Sequence, residues 1–384
     1  MRKVYSIFIA DYTIWNSPSL INLLDVLRKN GELVVFVTNT FNRNIGYLKS
    51  QHYNFFIIEK IPFQFNLKNL YYQFRSLFYY VKFKAFSKKF DLNICIDVKG
   101  FCQFLKFGND KAPLIYYSLE LQLLNDSDPD KIIAFLKPFQ ELERNYIDKI
   151  KGVIIQSEIR KNVFYKDYLL DNALPCFLLP VTYNGEIIQE KKNYIREKYK
   201  ISTDKKIVLY IGGIHSYYKV KEIVLELSKS KDCILFLHGF YQSAYITEIL
   251  ELVKDNNFTN IIFSNEIFDD IEDTNIIFQS ADIGIAWYEY DSLNFKTAAW
   301  SSGKIAGYLR FGVPVIINDF SGGQEVIEKT QCGVSISSFH EILPAIAKIS
   351  EKYEAYSSSC FKEFDKTYHF SKYETRLLDF VNSI

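Results

Sequence analysis

Short apolar runs alternate with longer amphipathic stretches along the whole of this chain. Buried parallel strands read as continuous runs of apolar and β-branched residues, and the stretches between these runs are long enough for crossover helices. In the first half of the chain the pattern predicts strands at Val4 to Ala10, Leu33 to Thr38, Phe55 to Ile58, Asn93 to Asp97, Leu114 to Tyr117 and Gly152 to Gln156.

A second series of strands follows a polar segment. Charged residues dominate the sequence after Pro180, and the apolar runs then resume. The pattern predicts further strands at Ile207 to Ile211, Ile234 to His238, Ile261 to Ser264, Ile283 to Trp287 and Val313 to Ile317. We therefore predict an α/β protein with two doubly wound, Rossmann-like domains at 1–182 and 183–368, followed by a terminal helix within 369–384.

Composition narrows the class of protein without identifying it. The chain has 384 residues, enough for two domains, and a net charge of +1, which gives no reason to expect nucleic acid as a partner. The six cysteines form no C-x-x-C pair and no histidine stands at zinc-ligand spacing, so we expect reduced thiols and a cytosolic protein without structural zinc. No apolar run reaches the roughly 20 residues of a membrane span, which predicts a soluble or peripheral protein.

The most informative segment runs from Ala298 to Ser335. Ser302 and Gly303 are suited to begin a helix, whose N-terminus offers free N–H groups and partial positive charge to an anion. Lys304 adds a full charge at the same place. A short apolar strand follows, and Gly322-Gly323 then precede a second helix start. The segment therefore predicts two phosphate-binding helix starts on either side of one strand.

This segment resembles the donor-binding core of the GT-B glycosyltransferases, in the family 4-like group typical of bacterial surface and capsular polysaccharide synthesis. The pattern of that group is roughly N/S-K-x-x-E-Y-x-x-x-G-x-P-V-I, followed by G-G-x-x-E-V-I. The matching residues here are Lys304, Tyr308, Gly312, Pro314, Val315, Ile316, Gly322, Gly323, Glu325, Val326 and Ile327. The resemblance implies two domains that face each other across a cleft, and a C-terminal helix that crosses back to the first domain.

The resemblance also assigns roles to residues of the second domain. It implies that Lys304 stabilises the leaving diphosphate and that Glu325 contacts ribose or sugar hydroxyls. It also implies that backbone amides approach the donor at Ser302, Gly303 and Gly323. Tyr308 is a further donor-binding candidate. One departure stands out, because the paired glutamates of the family are replaced by Ala299 and Gly307.

A second candidate loop follows the strand that is predicted to end at Ile211. Gly212-Gly213 allow the backbone to approach a ligand, and Lys219 stands where the family has its pyrophosphate-binding basic residue. The arginine that often follows these glycines is absent, so His215 or Lys221 would have to compensate. The alternative is an ordinary turn with solvated lysines.

Two further positions are candidates at the ends of predicted strands. Ile267 follows the strand Ile261 to Ser264, where related enzymes hold the nucleobase; the alternative is a residue that packs in the core. In the first domain, Asp97 and Glu120 each follow an apolar strand. Glu120 is our candidate for an acceptor-orienting or acid/base role, and Asp97 is a second acceptor-side candidate; both are also consistent with capping or surface carboxylates.

We expect no metal cofactor. Asp126-Ser127-Asp128 spells D-x-D, but it stands beside Pro129 before a helical stretch, where such residues cap helix starts. In the GT-B arrangement, lysines and helix N-termini neutralise the diphosphate, so the nucleotide sugar is a co-substrate and a divalent metal is not required.

A basic and aromatic stretch suggests a membrane surface. Ile61 to Phe90 contains six basic residues, among them Lys82 and Lys84, eleven aromatic residues and no acidic residue. This composition suits an anionic membrane interface on the acceptor side. A buried helix with one solvated basic face explains it equally well, and the RNA-binding interpretation lacks a recognisable signature.

The sequence thus favours a glycosyltransferase, of the hexosyltransferase type, that moves a sugar from a nucleotide-diphosphate sugar to a glycan acceptor. We expect a lipid-linked acceptor in surface or capsular polysaccharide synthesis and a location in the cytoplasm, peripheral to the inner face of the plasma membrane. The absent glutamate pair motivates an alternative, a catalytically inactive GT-B subunit that binds a glycan or a partner enzyme. A nucleotide-sugar epimerase shares the fold and is a third hypothesis.

Overall fold

The computed structural model describes residues 2–10, 12–15, 17–38, 42–58, 86–122, 132–239, 244–266, 268, 274–289, 292–319 and 322–384. These residues form two compact units. The first comprises Met1–Pro180 and Ser371–Ile384, and the second comprises Val181–Phe370.

The first unit is built on a parallel sheet. Its described strands follow the order β3-β2-β1-β4-β5-β6-β7. They are β1 (Val4–Ile9), β2 (Glu32–Thr38), β3 (Asn54–Ile58), β4 (Leu92–Ile96), β5 (Leu114–Tyr117), β6 (Ile150–Ile155) and β7 (Cys176–Leu178). The helices between them are α1 (Pro18–Asn30), α2 (Asn42–Ser50), α3 (Asp97–Phe107), α4 (Ile132–Tyr146) and α5 (Glu158–Tyr168).

The second unit repeats this design with the strand order β10-β9-β8-β11-β12-β13. Its strands are β8 (Lys206–Ile211), β9 (Cys233–His238), β10 (Ile261–Ser264), β11 (Ile283–Ala286), β12 (Val315–Asn318) and β13 (Gly333–Ile336). Its helices are α6 (Tyr194–Tyr199), α7 (Val220–Leu227), α8 (Ala244–Asp255), α9 (Asn275–Gln279), α10 (Leu293–Lys296), α11 (Ala298–Ser301), α12 (Gly303–Arg310), α13 (Ile342–Glu351) and α14 (Tyr353–Glu363).

The chain then returns to the first unit in helix α15 (Glu374–Ser383). The Phe380 ring lies 5.6 Å from the ring of Phe177 on β7, measured between centroids. A Cβ atom at Gly152 would lie 3.0 Å from Phe380. The C-terminal helix therefore packs closely over β6 and β7.

The sequence prediction of two doubly wound α/β units is confirmed. Every predicted strand is present, with ends that differ by no more than two residues. The apolar pattern did not reveal the edge strands β7 and β13, because β7 is only three residues long and a glycine and a serine interrupt the apolar run of β13.

Alternate residues of β8 show why each sheet needs helices on both faces. Ile207 and Leu209 belong to one buried cluster of apolar side chains, whereas Val208 and Tyr210 belong to another on the opposite face. A strand that is buried on both faces must be apolar throughout. This is the physical basis of the continuous runs in the sequence.

Candidate functional site

The strand order of the second sheet creates a crevice at the ends of β8 and β11. The chain proceeds outward from β8 to β9 and β10 on one side, and from β11 to β12 and β13 on the other. Loops that leave such neighbouring strands diverge, and the space between their carboxyl ends is the usual ligand site of an open α/β sheet. Here the two loops are joined by one hydrogen bond, in which Glu289 N donates to Tyr217 O over 3.3 Å.

Glycines hold the loop after β8 close to the sheet. Gly212 has a φ of +123° and donates its N–H to His238 O over 2.9 Å. A Cβ atom at Gly239 would overlap the carbonyl oxygen of Gly212. The Tyr210 hydroxyl donates to Gly213 O at 2.6 Å. The predicted glycine turn therefore lies directly above the carboxyl end of β8.

Helix α12 begins beside this loop, as the sequence predicted. Ser302 caps it by accepting a hydrogen bond from Ile305 N at 3.4 Å, and the Ser302 Oγ lies 2.5 Å from the Tyr288 hydroxyl. Asn318 fixes the backbone of Tyr288 through two hydrogen bonds, of 3.1 Å from Tyr288 N and 2.7 Å to Tyr288 O. At Gly303 an added Cβ would have no neighbour closer than 3.8 Å, so the first turn is open to a ligand.

Lys304 directs its amine into a group of tyrosine rings. The Nζ atom lies 4.3 Å from the centroid of Tyr210, 4.8 Å from that of Tyr218 and 5.4 Å from that of Tyr288. These rings come from β8, from the loop after it and from the segment after β11. Aromatic faces attract a cation and accept no conventional hydrogen bond from it.

The amine of Lys304 is buried and has no hydrogen-bond acceptor within the part of the chain that the structure describes. Burial lowers its pKa from 10.5 to about 7, because a charge that is removed from water without a partner is unfavourable. A diphosphate beside the amine would supply the missing negative partner.

The second predicted helix start is also present. Gly322 has a φ of +81°, and a Cβ atom there would overlap the Trp300 ring. At Gly323 a Cβ would lie 2.6 Å from Ile317 and 2.9 Å from the carbonyl oxygen of Asn318. A π-helical turn, Gln324–Glu328, follows, and the side chain of Glu325 in it is exposed. Both glycines are thus required by close packing, and Glu325 is accessible.

Tyr308 and the two positions without glutamate lie in the core. Tyr308 is fully buried, and its hydroxyl donates to Leu209 O at 2.7 Å and Ile285 O at 3.3 Å. It therefore connects α12 to two strands and exposes no atom to a nucleotide-sugar donor. A Cβ at Gly307 would lie 2.6 Å from the Phe278 ring, and Ala299 is fully buried. The spaces that a glutamate pair would need are occupied by apolar side chains.

The two remaining candidates of this unit lie in the loop after β8. Lys219 has a φ of +52° and precedes helix α7, and its side chain is half-buried. His215 is exposed, and its ring stacks on that of Tyr217 with 5.1 Å between centroids. Both residues follow the glycine turn.

The first unit has its own crevice, between β1 and β4. Asp97 follows β4 with a φ of +51°, is 6% exposed, and accepts hydrogen bonds from Leu119 N at 2.7 Å and Glu120 N at 3.1 Å. Burial raises its pKa well above the usual range and the nearby charge of Glu120 raises it further, while the two N–H donors lower it. Asp97 therefore holds the loop after β5 in place.

Arg160 completes this cluster. It is 1% exposed, and its Nη1 donates to Leu119 O and to Gln156 Oε1, each over 3.0 Å. The charges of Glu120 and Asp97 raise its pKa against the larger effect of burial, which lowers it. Glu120 itself is exposed. Glu120 thus lies on a loop that the buried Asp97 and Arg160 hold through Leu119, and desolvation raises the pKa of its carboxyl above the usual value while Arg160 lowers it.

Several predicted features lie outside the described residues. These are Ile267, Lys82, Lys84 and the Asp126-Ser127-Asp128 motif. Within the described ranges, histidine, cysteine and carboxylate side chains form no group that could hold a metal ion. In the same ranges, no helix combines the length and the apolar character that a membrane crossing requires.

Sequence reasoning missed Tyr288, Asn318 and Arg160. Tyr288 and Asn318 each stand at or just after the end of a strand that was predicted, and polar or aromatic residues at such ends are the signal that was available. Arg160 gave no such signal, since a basic residue inside a helical stretch is usually solvated.

Comparisons with known proteins find one matching domain model and several solved structures of similar fold. Residues 252–378 match the model of the glucosyltransferase 3-like C-terminal domain, which is about a third of the chain. No curated protein sequence matches the chain. The match lies within the second unit apart from its last residues.

Solved structures share the fold at low identity. Sucrose-phosphate synthase from Thermosynechococcus elongatus is 14% identical with a TM-score of 0.73, covering 100% of this chain and 99% of that chain. HepE from Anabaena, solved with UDP-glucose, is 13% identical with a TM-score of 0.74 and 100% coverage of both chains. A glycosyltransferase from Rickettsia africae is 13% identical with a TM-score of 0.69, covering 100% of this chain and 98% of that chain. The chain therefore has the GT-B fold.

Proposed function

We propose that this protein is a glycosyltransferase that transfers a sugar from a nucleoside-diphosphate sugar to a glycan acceptor. The second unit would bind the donor. The family match to a glucosyltransferase-type domain and the GT-B fold support this class of reaction. Because the same fold carries different chemistries, the assignment depends on the site itself.

One observation carries the proposal: the buried amine of Lys304 has no acceptor among the described residues and lies beside the open first turn of α12. A buried charged amine without a partner is unfavourable unless a ligand supplies a hydrogen-bond acceptor and negative charge. The adjacent helix start adds N–H donors and partial positive charge. Together they suit an anion with several oxygen atoms, as in a diphosphate.

The reaction needs stabilisation of the negative charge that develops as the bond between sugar and diphosphate breaks. Lys304 and Lys219 supply positive charge, and the glycine loops at Gly213 and Gly323 allow backbone N–H groups to approach the phosphates. Glu325, which is exposed, would accept hydrogen bonds from ribose or sugar hydroxyls. Tyr308 contributes by supporting α12, since its hydroxyl binds two backbone carbonyls.

In the first unit we assign the acceptor role to Glu120. Its exposed carboxylate can orient an acceptor hydroxyl, and in an inverting transfer it can remove the proton of that hydroxyl. Asp97 and Arg160 hold the Glu120 loop through Leu119 and therefore act as positioning residues.

We further propose that the acceptor is a lipid-linked glycan of a surface or capsular polysaccharide, met at the cytoplasmic face of the membrane. The support is the composition of Ile61 to Phe90, in which basic and aromatic residues alternate without an acid. Such segments bind anionic lipid headgroups.

A second candidate function is an inactive GT-B subunit that binds a glycan or a partner enzyme. The observation that favours it is the apolar filling at Gly307 and Ala299, where the resemblance places glutamates. This candidate predicts glycan binding without nucleotide binding.

The test is thermal stabilisation of the purified chain by uridine, guanosine, thymidine, adenosine and cytidine diphosphates and by their glucose conjugates. We expect one nucleotide to raise the melting temperature, and Lys304→Ala to abolish the effect. A single charged contact of this kind contributes about 3 kcal/mol, which corresponds to a loss of transfer rate of more than a hundredfold.

The matched control is Lys254→Ala. Lys254 lies in the last turn of α8 and is exposed, so its removal should leave nucleotide binding unchanged. Normal transfer by the Lys304→Ala variant would contradict the proposed site. Glycan binding by the wild-type chain, with no response to any nucleotide, would favour the inactive subunit.

A further inference from the structure

The loop after β8 carries a stack of aromatic rings that extends from the interior to solvent. The Tyr217 ring packs edge-on against Phe295, with 5.5 Å between centroids, and against Tyr218, with 4.7 Å. Its open face is covered by the His215 ring, which is nearly parallel at 16° and 5.1 Å away. His215 is exposed. The stack therefore ends in a flat ring that faces solvent.

The glycine turn fixes the position of this outer ring. A Cβ atom at Gly213 would lie 3.3 Å from Cδ2 and 3.5 Å from Nε2 of His215, so the imidazole lies over the Gly213 backbone. The backbone of Tyr217, which carries the inner ring, is held by the hydrogen bond from Glu289 N to Tyr217 O. Tyr218, in the same turn, lies 4.8 Å from the Lys304 amine. The exposed ring thus stands beside the proposed diphosphate site.

The chemistry of this surface differs from that of a phosphate site. The face of a neutral aromatic ring carries partial negative charge, so it repels an anion and attracts the weakly positive C–H groups of an apolar surface. A pyranose ring presents such C–H groups on one face and hydroxyls around its edge. A flat, rigidly backed ring therefore suits a sugar better than it suits a diphosphate.

We propose that His215, backed by Tyr217, forms a subsite on which a pyranose ring stacks. The inference rests on the proposed function and specifies one of its contacts. It replaces the expectation that His215 compensates for a missing arginine at the diphosphate. The sugar is either the hexose of the donor or the terminal sugar of the acceptor, since both present the same C–H face.

The experiment compares the wild-type chain with His215→Ala, which removes the exposed ring, and His215→Phe, which keeps an aromatic face without the imidazole nitrogens. Calorimetry gives the affinity for each of five nucleoside diphosphates and for its glucose conjugate. A second series measures binding of 4-nitrophenyl β-glucoside and 4-nitrophenyl N-acetyl-β-glucosaminide, with and without the best nucleotide. Because His215 is exposed, neither variant should change the melting temperature.

If the donor hexose stacks here, His215→Ala weakens binding of the glucose conjugate about tenfold while affinity for the bare nucleotide stays unchanged. His215→Phe should keep the wild-type affinity for the glucose conjugate. If the acceptor sugar stacks here, the loss appears with the nitrophenyl glycosides instead. Unchanged affinity for both kinds of sugar in His215→Ala overturns the inference.

The two proposals fail separately. A wild-type chain that binds no nucleotide contradicts the proposed function. In that case the nitrophenyl glycosides alone test whether a sugar binds at His215. A chain that binds a nucleotide, with the same sugar affinities in wild type and His215→Ala, contradicts only the subsite.

Discussion

The amine of Lys304 lies 4.3 Å from the centroid of the Tyr210 ring, and the hydroxyl of that ring donates to Gly213 O at 2.6 Å. One buried tyrosine thus connects the amine at the α12 start with the backbone of the glycine turn. The amine has aromatic neighbours but no acceptor in the described chain. A charged amine in this arrangement is unfavourable without an anionic partner.

Replacing Lys304 with methionine should stabilise the free protein. The side chain keeps its length, and an uncompensated buried amine is removed, so the free energy of unfolding should rise by about 1 to 3 kcal/mol at pH 7. The pKa of Lys304 falls from 10.5 to about 7 on folding. Between these two pH values the unfolded chain therefore holds a proton on this amine that the folded chain has lost. The wild-type stability therefore rises with pH across this window, and urea titrations at pH 7 and pH 10 should show that the variant lacks this rise. Equal or lower stability of Lys304→Met at pH 7 would show that the amine is already compensated.

Affinity for a nucleoside diphosphate should fall as the pH rises above 7. The anion favours the protonated amine, so binding above the free pKa of about 7 takes up one proton. The affinity should decrease by up to about tenfold per pH unit between pH 7.5 and 9. Calorimetry in two buffers of different ionisation enthalpy measures the proton directly. Lys304→Arg is the control, since a guanidinium stays protonated throughout; an equally steep decrease in that variant would assign the titration to another group.

A glutamate at position 307 should not restore the family pattern. A Cβ at Gly307 would lie 2.6 Å from Cζ and 2.8 Å from Cε1 of Phe278, so even Gly307→Ala should lower the free energy of unfolding, by about 1 to 3 kcal/mol. The double variant Gly307→Ala/Phe278→Ala should show a smaller loss than the sum of the two single changes, because the clash is relieved. Chemical denaturation of the four chains measures this coupling; strictly additive losses would mean that the two side chains do not compete for space.

The buried carboxyl of Glu143 should make the first unit less stable as the pH rises. Glu143 on α4 is fully buried and accepts hydrogen bonds from the Tyr116 and Tyr168 hydroxyls. Burial raises its pKa from 4.5 to about 7, against the two hydroxyl donors, which lower it. Between these values the folded chain holds a proton that the unfolded chain has lost, so this group's contribution to stability decreases as pH rises.

Glu143→Gln should remove most of that decrease, which is on the order of 3 kcal/mol between pH 4.5 and 8. The readout is the pH dependence of unfolding by urea. The control is Glu141→Gln, an exposed residue of the same helix, which should retain the wild-type profile. A Glu143→Gln profile parallel to that of the wild type would show that Glu143 does not titrate in this range.

Asp97 should tolerate asparagine but not alanine. Asparagine adopts a φ near +51° readily and keeps an oxygen acceptor for the N–H groups of Leu119 and Glu120. We expect Asp97→Asn to change stability by less than about 1 kcal/mol, and Asp97→Ala to lower it by about 2 to 4 kcal/mol. Thermal and chemical unfolding of both variants test this expectation. Comparable losses in the two would indicate that the carboxylate charge, rather than the acceptor and the backbone conformation, matters at this position.

The sequence by itself determined the strands, the two α/β units and the start of helix α12. These features depend on near neighbours: a strand buried on both faces needs a continuous apolar run, and a helix start needs a small polar cap such as Ser302. The short edge strand Gly333–Ile336 escaped prediction because Gly333 and Ser335 interrupt its apolar run.

Only the tertiary structure decided which residues surround Lys304 and what state its amine adopts. Tyr210, Tyr218 and Tyr288 come from separate strands and loops, and the strand order of the sheet brings them together. The same holds for Phe278, which fills the space beside Gly307. Burial, partners and pKa depend on distances between residues far apart in the chain. A lysine that looks like an ordinary phosphate ligand in the sequence is therefore, among the residues that the structure describes, a buried amine without an acceptor.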